Sequence, residues 1–305
     1  MLKLQGIFVA MVTPLDAAGR VDEAAVVRVV RRAIGAGVQG VFPVGSTGEG
    51  AALSFGDRLS VLDLVKAECG GSMPVVPGVL SPSLDLAVRD ITAYADHGAS
   101  AVLVSPPYYY PLSDLEVVEF YRRLAGECAV PMVLYSIPSL ARNFASPAAV
   151  SALSEVDKIV GIKDSTRDLG YLEGVCNALS MSGRRLGFSV LTGSDDLLLT
   201  SLRLGVDGSV GAASNLVADM TVGVYSAFRG GRLAEAELAQ RRLTAVVEAC
   251  RIGGSGKGWK AALELAGVAG GTPVAPRLPL GTKEREDLRN ALEAAGLLLE
   301  ATADG

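Results

Sequence analysis

The chain has 305 residues, of which 50% are hydrophobic and 20% charged, so it is long enough to bury a large core. Its formal net charge of −5, with no basic cluster, gives no electrostatic reason to expect nucleic acid or an anionic membrane as a partner. Because His97 is the only histidine, a histidine-rich metal site within one chain is excluded.

Nothing along the chain predicts export or insertion into a membrane. The first apolar run, residues 6–12, is too short for a membrane span and no cleavage signature follows it. The cysteines lie far apart and form no CxxC pair, which indicates a reduced environment. These cysteines are Cys69, Cys128, Cys176 and Cys250. We therefore expect a cytoplasmic protein with no membrane partner.

Short apolar runs recur along the chain about every 30 residues, separated by amphipathic segments. Several runs are nearly continuous in valine, isoleucine and leucine, as expected of parallel strands that are covered on both faces. The predicted strands are residues 6–13, 40–44, 74–79, 101–106, 131–136, 159–163, 188–193 and 208–213.

Helices are predicted between these strands, and several begin at a residue that suits an N-cap. Asp22, Ser54, Ser83 and Ser113 each precede an apolar pattern with helical spacing. Eight strand–helix units in about 225 residues predict a closed (β/α)8 TIM barrel of the α/β class. A doubly wound open sheet is the alternative, but it usually needs fewer units.

The strand signal stops after about residue 225, and the remaining pattern is helical. Helices are predicted at residues 231–250, 257–267 and 282–299. We therefore expect two parts, a barrel that carries the active site (residues 1–225) and a C-terminal helical extension packed on it (residues 226–305).

Two glycine-rich segments have the spacing of nucleotide-binding loops in the wrong context. Residues 35–40 match GxGxxG, but they end a helix and enter a strand, the reverse of a dinucleotide site. Residues 253–258 follow no strand and lack the Ser or Thr after the lysine of a phosphate loop. No cofactor and no metal ion are therefore expected.

Lys163 follows the apolar residues 159–162, where the sixth predicted strand ends. A charged amine is costly to bury, so Lys163 is either a strand-end lysine whose amine reaches water or a functional group. An amine that is kept neutral in such a place is a nucleophile toward carbonyl carbon. The residues at the other strand ends decide between these interpretations.

In a barrel of this kind the active site lies at the C-terminal ends of the strands. The predicted strand ends supply hydroxyls, phenols and glycine-exposed amides at residues 45–49, 106–111, 135–138, 163–165 and 193–196. A neutral lysine and a ketone form an imine, which is an electron sink for carbon–carbon cleavage or formation. A phenol can move protons, and backbone amides with hydroxyls can hold the substrate carboxylate.

Three motifs at these strand ends resemble those of the class I pyruvate-dependent aldolases, the family that includes dihydrodipicolinate synthase and N-acetylneuraminate lyase. GxxGE occurs at residues 45–49, YxxP at residues 135–138 and GIKDS at residues 161–165. GxxGE alone is weak, but all three in this order at strands 2, 5 and 6 are specific. The resemblance covers nearly the whole chain.

The resemblance implies catalytic roles for four residues. Lys163 would form a Schiff base with pyruvate or another 2-oxo acid, and Tyr135 would shuttle protons. Thr47 and Tyr108 would complete a hydroxyl relay, with Tyr108 a candidate to reach a neighbouring subunit. The family is commonly a homotetramer built as a dimer of dimers, so the resemblance also implies that assembly.

The resemblance implies that Ser46 and Thr47 bind the carboxylate of the 2-oxo acid. The other expected substrate-binding residues are Gly48, Ser165, Gly193, Asp195, Asp196 and Arg142.

Some of the strand-end residues also have simpler interpretations. Asp195 and Asp196 suit a helix cap as well as substrate hydroxyls, and Glu49 is expected to cap the following helix. Tyr109 and Tyr110 are packing residues or interface residues.

Departures from the family pattern bear on the substrate. Dihydrodipicolinate synthase would carry an arginine where this chain has Leu140, although Arg142 lies two places further on. N-acetylneuraminate lyase would carry Glu and Ser where Asp196 and Ala212 stand, which removes hydrogen-bonding reach toward a long glycerol tail. The strand-4 loop, residues 106–113, lacks the Arg or Lys pair that a phosphorylated substrate would need, which favours a non-phosphorylated one.

The leading hypothesis is a retro-aldol lyase that cleaves a 2-keto-3-deoxy sugar acid, or a related 4-hydroxy-2-oxo acid, to pyruvate and an aldehyde. A dehydratase that acts through the same imine is a close variant. Dihydrodipicolinate synthase, which condenses pyruvate with an amino aldehyde, and N-acetylneuraminate lyase are the alternatives. A catalytically silent member that binds a 2-oxo acid as a sensor or scaffold is a different class. The intact Lys163, Tyr135 and Thr47 argue against that class.

Overall fold

A ring of eight parallel strands forms the centre of the protein, as seen in a computed structural model that describes residues 2–254 and 256–297. The strands are β1 (Gly6–Ala10), β2 (Gly40–Phe42), β3 (Gly78–Val79), β4 (Val102–Val104), β5 (Met132–Ser136), β6 (Ile159–Asp164), β7 (Ser189–Thr192) and β8 (Gly208–Gly211). β1 pairs with β2 on one side and with β8 on the other. All eight predicted strands are confirmed, and the (β/α)8 TIM barrel is confirmed with them.

The ring is completed between β2 and β3, where the pairing is irregular. Val41 forms a parallel bridge with Val75, and its N–H donates to the Pro74 oxygen at 3.1 Å. The Gly78 N–H donates to the Pro43 oxygen at 3.0 Å. Proline has no N–H to donate, so regular pairing in the predicted strand 74–79 is limited to its last two residues. The open-sheet alternative is wrong because the first and last strands pair.

Helices follow the strands around the outside of the ring. They are α1 (Glu23–Gly35), α2 (Phe55–Cys69), α3 (Leu84–Asp96), α4 (Asp114–Glu127), α5 (Pro147–Leu153), α6 (Leu169–Met181), α7 (Leu198–Arg203) and α8 (Ala218–Arg229). The predicted caps Asp22, Ser54, Ser83 and Ser113 each accept an N–H from the residue three positions ahead. Because Ser54 caps α2, the expectation that Glu49 caps this helix is wrong.

Among the described residues 226–254 and 256–297, three further helices form the C-terminal extension: α9 (Leu233–Ala249), α10 (Lys257–Leu265) and α11 (Thr282–Ala294). They match the predicted helices, whose last residues, 298 and 299, lie outside the described part of the chain. The predicted division at residue 225 falls inside α8, and it stays a prediction. Within residues 2–254 and 256–297, every helix is too short or too polar to span a bilayer.

Large apolar side chains fill the inside of the barrel, as is usual for this fold. They include Leu4, Phe8, Phe42, Leu103, Val133, Val160, Leu191 and Val210. A larger apolar layer lies between the strands and the surrounding helices. Because the barrel interior is packed, the space for a ligand lies at the end of the barrel where the strands terminate.

Candidate active site

A pocket of about 790 Å³ lies at the C-terminal end of the barrel. The strand ends supply Ala10, Ser46, Thr47, Tyr135, Lys163, Gly193 and Val210 to its wall, and the extension supplies Val247, Arg251, Trp259 and Arg277. The predicted strand-end residues therefore meet in one cavity, and the helical extension closes part of it.

Lys163 and Tyr135 are brought together by the register of two neighbouring strands. Tyr135 on β5 is the direct partner of Lys163 on β6. The Lys163 Nζ atom lies 4.6 Å from the centre of the Tyr135 ring. Lys163 is only 4% exposed and lines the pocket, so its amine ends in the cavity and not in bulk water. An amine beside a phenol is suited to imine chemistry with proton transfer.

The Tyr135 hydroxyl donates a hydrogen bond to Ser46 Oγ at 3.3 Å. Ser46 follows β2, so this bond crosses the pocket from one strand end to another. Thr47 and Tyr108 line the same cavity. The structure therefore places all four predicted catalytic residues in the wall of one pocket. A hydroxyl relay from Tyr135 to Thr47 and Tyr108 stays a prediction.

The turn after β2, residues 45–50, is tightly held against the barrel. Thr13 Oγ1 donates to the Gly48 carbonyl oxygen at 2.7 Å. A Cβ atom on Gly48 would lie 2.8 Å from the Met11 carbonyl oxygen, so only glycine fits there without a shift. Glu49 has a φ of 56°, a left-handed conformation that is costly for a residue with a side chain. The contacts of the turn fix where its hydroxyls and amides point.

Gly193 and Ser165 lie directly beside the lysine. The Gly193 N–H donates to the Asp164 carbonyl oxygen at 2.6 Å, which extends the pairing of β6 and β7. A Cβ atom on Gly193 would lie 2.0 Å from Ser165 Oγ and 3.1 Å from Lys163 Cε. Glycine at this position therefore leaves the room that the lysine and serine side chains occupy.

Asp195 is a buried carboxyl group in the pocket wall. The Ala213 N–H donates to its Oδ2 atom at 2.9 Å, while its buried Oδ1 atom has no partner among the described residues. Burial raises the pKa of Asp195 to about 6, although the Ala213 hydrogen bond and the charge of Lys163 oppose this shift. Because Oδ1 has almost no accessible surface and lies where a Cβ atom on Gly211 would be, 1.7 Å away, Asp195 supports the pocket wall from behind β8.

Asp196 lies at the pocket rim between two arginines. Arg167 donates to both of its carboxylate oxygens, at 2.9 and 2.6 Å, and Arg251 donates to Oδ2 at 2.8 Å. Although burial opposes it, these bonds hold the pKa of Asp196 below its ordinary value. The alternative that Asp195 or Asp196 caps the next helix is wrong, because α7 begins after Leu197 without a side-chain cap.

Two other predictions concern residues near the rim. Arg142 is exposed and lies outside the set of described residues that line the pocket, whereas Leu140 lines it. Tyr109 and Tyr110 are 74% and 72% exposed, so the packing interpretation is wrong for both. Their interface role stays a prediction.

The arginines of the pocket wall were not predicted from the sequence. The strand-4 loop lacks an Arg or Lys pair, but Arg167, Arg251 and Arg277 reach the pocket from other elements. Arg167 lies two residues after the GIKDS motif, so its closeness to a strand end could be read from the sequence. Arg251, Trp259 and Arg277 belong to the extension, and no local pattern places them at the barrel rim.

The comparisons with known proteins agree with this geometry. The model of the dihydrodipicolinate synthetase family matches residues 3–295. An uncharacterized DapA-like lyase of Halobacterium salinarum is 36% identical over 301 residues, covering 97% of this chain and 96% of that protein. A probable 2-dehydro-3-deoxy-D-pentonate aldolase of Escherichia coli, YjhH, is 32% identical over 244 residues, covering 80% of each.

A solved structure gives the same result for the fold. YagE, a prophage protein of the dihydrodipicolinic acid synthase family from E. coli K12, was solved in complex with pyruvate. It matches with a TM-score of 0.92 and 26% sequence identity, over 97% of this chain and 99% of that one. The similarity therefore includes both the barrel and the C-terminal extension.

Proposed function

Because the chain belongs to the dihydrodipicolinate synthetase family and is a lyase of that family, we propose a specific reaction for it. It forms a Schiff base and cleaves a 2-keto-3-deoxy sugar acid, or a related 4-hydroxy-2-oxo acid, to pyruvate and an aldehyde. The observation that carries this proposal is the pairing of Lys163 with Tyr135, in which a buried amine lies 4.6 Å from the centre of a phenol ring.

The first step is imine formation at Lys163. Its neutral amine attacks the C2 carbonyl of the substrate, and the carbinolamine loses water as the C=N bond forms. One proton of the attacking amine passes through Ser46 and Tyr135, which are hydrogen bonded, to the carbinolamine oxygen. The Tyr135 hydroxyl then gives that oxygen a second proton as water leaves, which produces a protonated imine and a Tyr135 phenolate. Ser46 and Thr47, with the amides of their turn, hold the carboxylate of the substrate.

The second step breaks the bond between C3 and C4. A base removes the proton of the C4 hydroxyl, the C3–C4 electron pair moves into the imine, and an aldehyde leaves with an enamine behind. Tyr135 in its phenolate form is placed to be that base. Protonation at C3 and hydrolysis of the imine release pyruvate and regenerate Lys163.

The wall around the aldehyde half supports a sugar acid as substrate. The hydroxyl of Ser165 lines the pocket and is available to a substrate hydroxyl. Arg167 and Arg251 already donate to Asp196, which favours a neutral polyol over a phosphate group at the rim. Leu140 stands in the wall where the synthase would carry an arginine, which favours the lyase over the dihydrodipicolinate route.

A substrate panel tests this proposal. The protein is incubated with 2-keto-3-deoxy sugar acids of five and six carbons, with 4-hydroxy-2-oxoglutarate and with N-acetylneuraminate, and pyruvate release is measured. We expect release from one or more of the first two classes. Two results would contradict the proposed substrate class but not the Schiff-base mechanism. One is pyruvate release from N-acetylneuraminate alone, and the other is turnover only when pyruvate is supplied with an amino aldehyde. Loss of water without pyruvate release would identify the dehydratase variant.

We also propose that the protein acts as a cytoplasmic homotetramer. Tyr109, Tyr110 and Leu115 in and after the strand-4 loop are 74%, 72% and 82% exposed, which supports contact with a second copy. The Asn143 side chain donates to the Tyr110 carbonyl oxygen at 2.7 Å and ties this loop to the segment after β5. All four cysteines are free and buried, as suits a reducing compartment.

A further inference from the structure

Glu49 is the centre of a buried ion-pair cluster that the proposed reaction does not use. Its carboxylate forms salt bridges with the Lys260 amine and the Arg277 guanidinium. The side chains of Glu49 and Lys260 are only 4% and 3% exposed. The Val274 N–H also points at the carboxylate, 3.3 Å from each oxygen. We call Glu49, Lys260, Val274 and Arg277 the Glu49 cluster.

The cluster joins two parts of the chain that are far apart in sequence. Glu49 belongs to the turn after β2, whereas Lys260 lies on α10 and Arg277 lies after it. Lys260 also donates to the Thr272 carbonyl oxygen at 2.9 Å, so it holds the segment that carries Val274. Burial lowers the pKa of Lys260, and the negative charge of Glu49 opposes that shift.

The position of the cluster relates it to substrate binding. Glu49 lies in the same six-residue turn as Ser46 and Thr47, and Glu49 and Arg277 both line the pocket. The Glu49 N–H donates to the Ser46 carbonyl oxygen at 3.2 Å. The left-handed backbone of Glu49 is unfavourable in free energy, so other contacts must stabilise the turn. The Glu49 cluster supplies such contacts.

We propose that Glu49 is a positioning residue, held by Lys260 and Arg277, that fixes the turn so that Ser46 and Thr47 bind the 2-oxo-acid carboxylate. The C-terminal extension is then a working part of the active site, because it supplies both cations. This inference rests on the proposed function, since it assigns the turn to the carboxylate of an imine-forming substrate.

A purely structural role would have a different signature. If the cluster only stabilised the fold, its loss would lower the melting temperature, while folded molecules would bind pyruvate as before. If it positions the turn, folded molecules need more pyruvate to reach half of the maximal adduct, and the rate at saturation changes less. Comparing the change in the half-saturating pyruvate concentration with the change in the saturating rate therefore distinguishes the two roles.

The test measures trapping of pyruvate by borohydride as a function of pyruvate concentration, for four variants and the wild type. Glu49→Gln removes the charge and keeps the size of the side chain. Lys260→Met removes one cation and leaves Glu49 paired with Arg277, so it is the milder change. Lys260→Arg keeps the charge. Glu237→Gln is the matched control, because it breaks the Arg203–Glu237 pair between α7 and α9, whose residues do not line the pocket.

We expect Glu49→Gln to raise the half-saturating pyruvate concentration about tenfold or more, and Lys260→Met to raise it less. Lys260→Arg, which keeps the charge, should lie closer to the wild type than Lys260→Met does. Glu237→Gln should stay within about twofold of the wild type. Unchanged half-saturation in folded Glu49→Gln and Lys260→Met would overturn the positioning role. A wild type that traps no pyruvate would instead overturn the proposed function, and the positioning role with it.

Discussion

The register of β5 and β6 places Lys163 and Tyr135 side by side, so that their side chains can act together. Neither residue is unusual alone, because a lysine at a strand end can reach water and a tyrosine can pack in a core. Direct pairing of the two positions on β5 and β6 places the amine against the ring, and the barrel buries both side chains. The neighbours of these residues across the sheet therefore carry the functional information.

Replacement of Tyr135 by phenylalanine tests the proton transfer step. The ring beside Lys163 is kept and only the hydroxyl that bonds to Ser46 is lost. We expect kcat for cleavage to fall by about 10²- to 10⁴-fold, the usual contribution of a general acid or base. The matched control is Tyr121→Phe, whose hydroxyl donates to the Val104 carbonyl oxygen in the core. Equal kcat in the two variants would contradict the role of Tyr135.

Asp195 makes stability depend on pH in an identifiable direction. Its pKa in the folded protein is about 6, raised by burial above its ordinary value. The native state therefore binds more protons than the unfolded chain between about pH 4 and pH 6, and stability falls as the pH rises through that window. Above pH 6 the destabilising contribution of the ionised carboxylate is fully present, on the order of 2–3 kcal/mol.

Asp195→Asn isolates this effect, because asparagine keeps an acceptor for the Ala213 N–H and cannot ionise. We expect the difference in unfolding free energy between pH 4.5 and pH 7 to shift by about 2 kcal/mol in favour of the higher pH. Urea unfolding of the wild type and the variant at both pH values measures it. The same pH dependence in both proteins would contradict the assignment.

At the scale of secondary structure elements, the strands and helices were predictable and the contacts between remote elements were not. The apolar runs and the N-caps are local signals, and both were confirmed. Glu49 shows what local signals miss. An acidic residue shortly before a helix predicted a helix cap, but Ser54 caps α2. The partners of Glu49, which are Lys260 and Arg277, lie more than 200 positions away, and only the fold brings them to it.

The Glu49 cluster should also contribute to stability. Glu49→Gln leaves the buried Lys260 amine without its counter-ion, and we expect a loss of about 3–5 kcal/mol in unfolding free energy. Glu237→Gln breaks an exposed pair and should cost about 1 kcal/mol or less. Denaturant unfolding of the two variants and the wild type gives the comparison. A Glu49→Gln loss no larger than that of Glu237→Gln would show that the buried pair is not a stabilising contact.

For the whole molecule, the alternation of strands and helices predicted the barrel and its strand-end site, and the family resemblance implied the imine-forming role of Lys163. Neither predicted the aldehyde half of the pocket. Arg251 and Trp259 come from the extension, where no local motif marks them as wall residues. Leu140 is 61% exposed at the rim of the pocket.

The proposed assembly predicts a clear result in solution. Sedimentation equilibrium of the wild type should give the mass of a tetramer, and the double variant Tyr109→Ser, Tyr110→Ser should give a smaller species. Met181→Ser is the control, because Met181 is also exposed but ends α6, at the opposite end of the barrel. A wild type that is monomeric at micromolar concentration would contradict the proposed tetramer.

The proposed reaction depends on a Schiff base between Lys163 and pyruvate. The protein is incubated with pyruvate and borohydride, and the modified peptide is identified by mass. We predict one adduct per chain, on Lys163, absent from Lys163→Ala and present in Lys158→Ala, which changes the residue just before the opposite end of β6. Absence of an adduct on Lys163 in the wild type, or full turnover by Lys163→Ala, would contradict the proposed Schiff base.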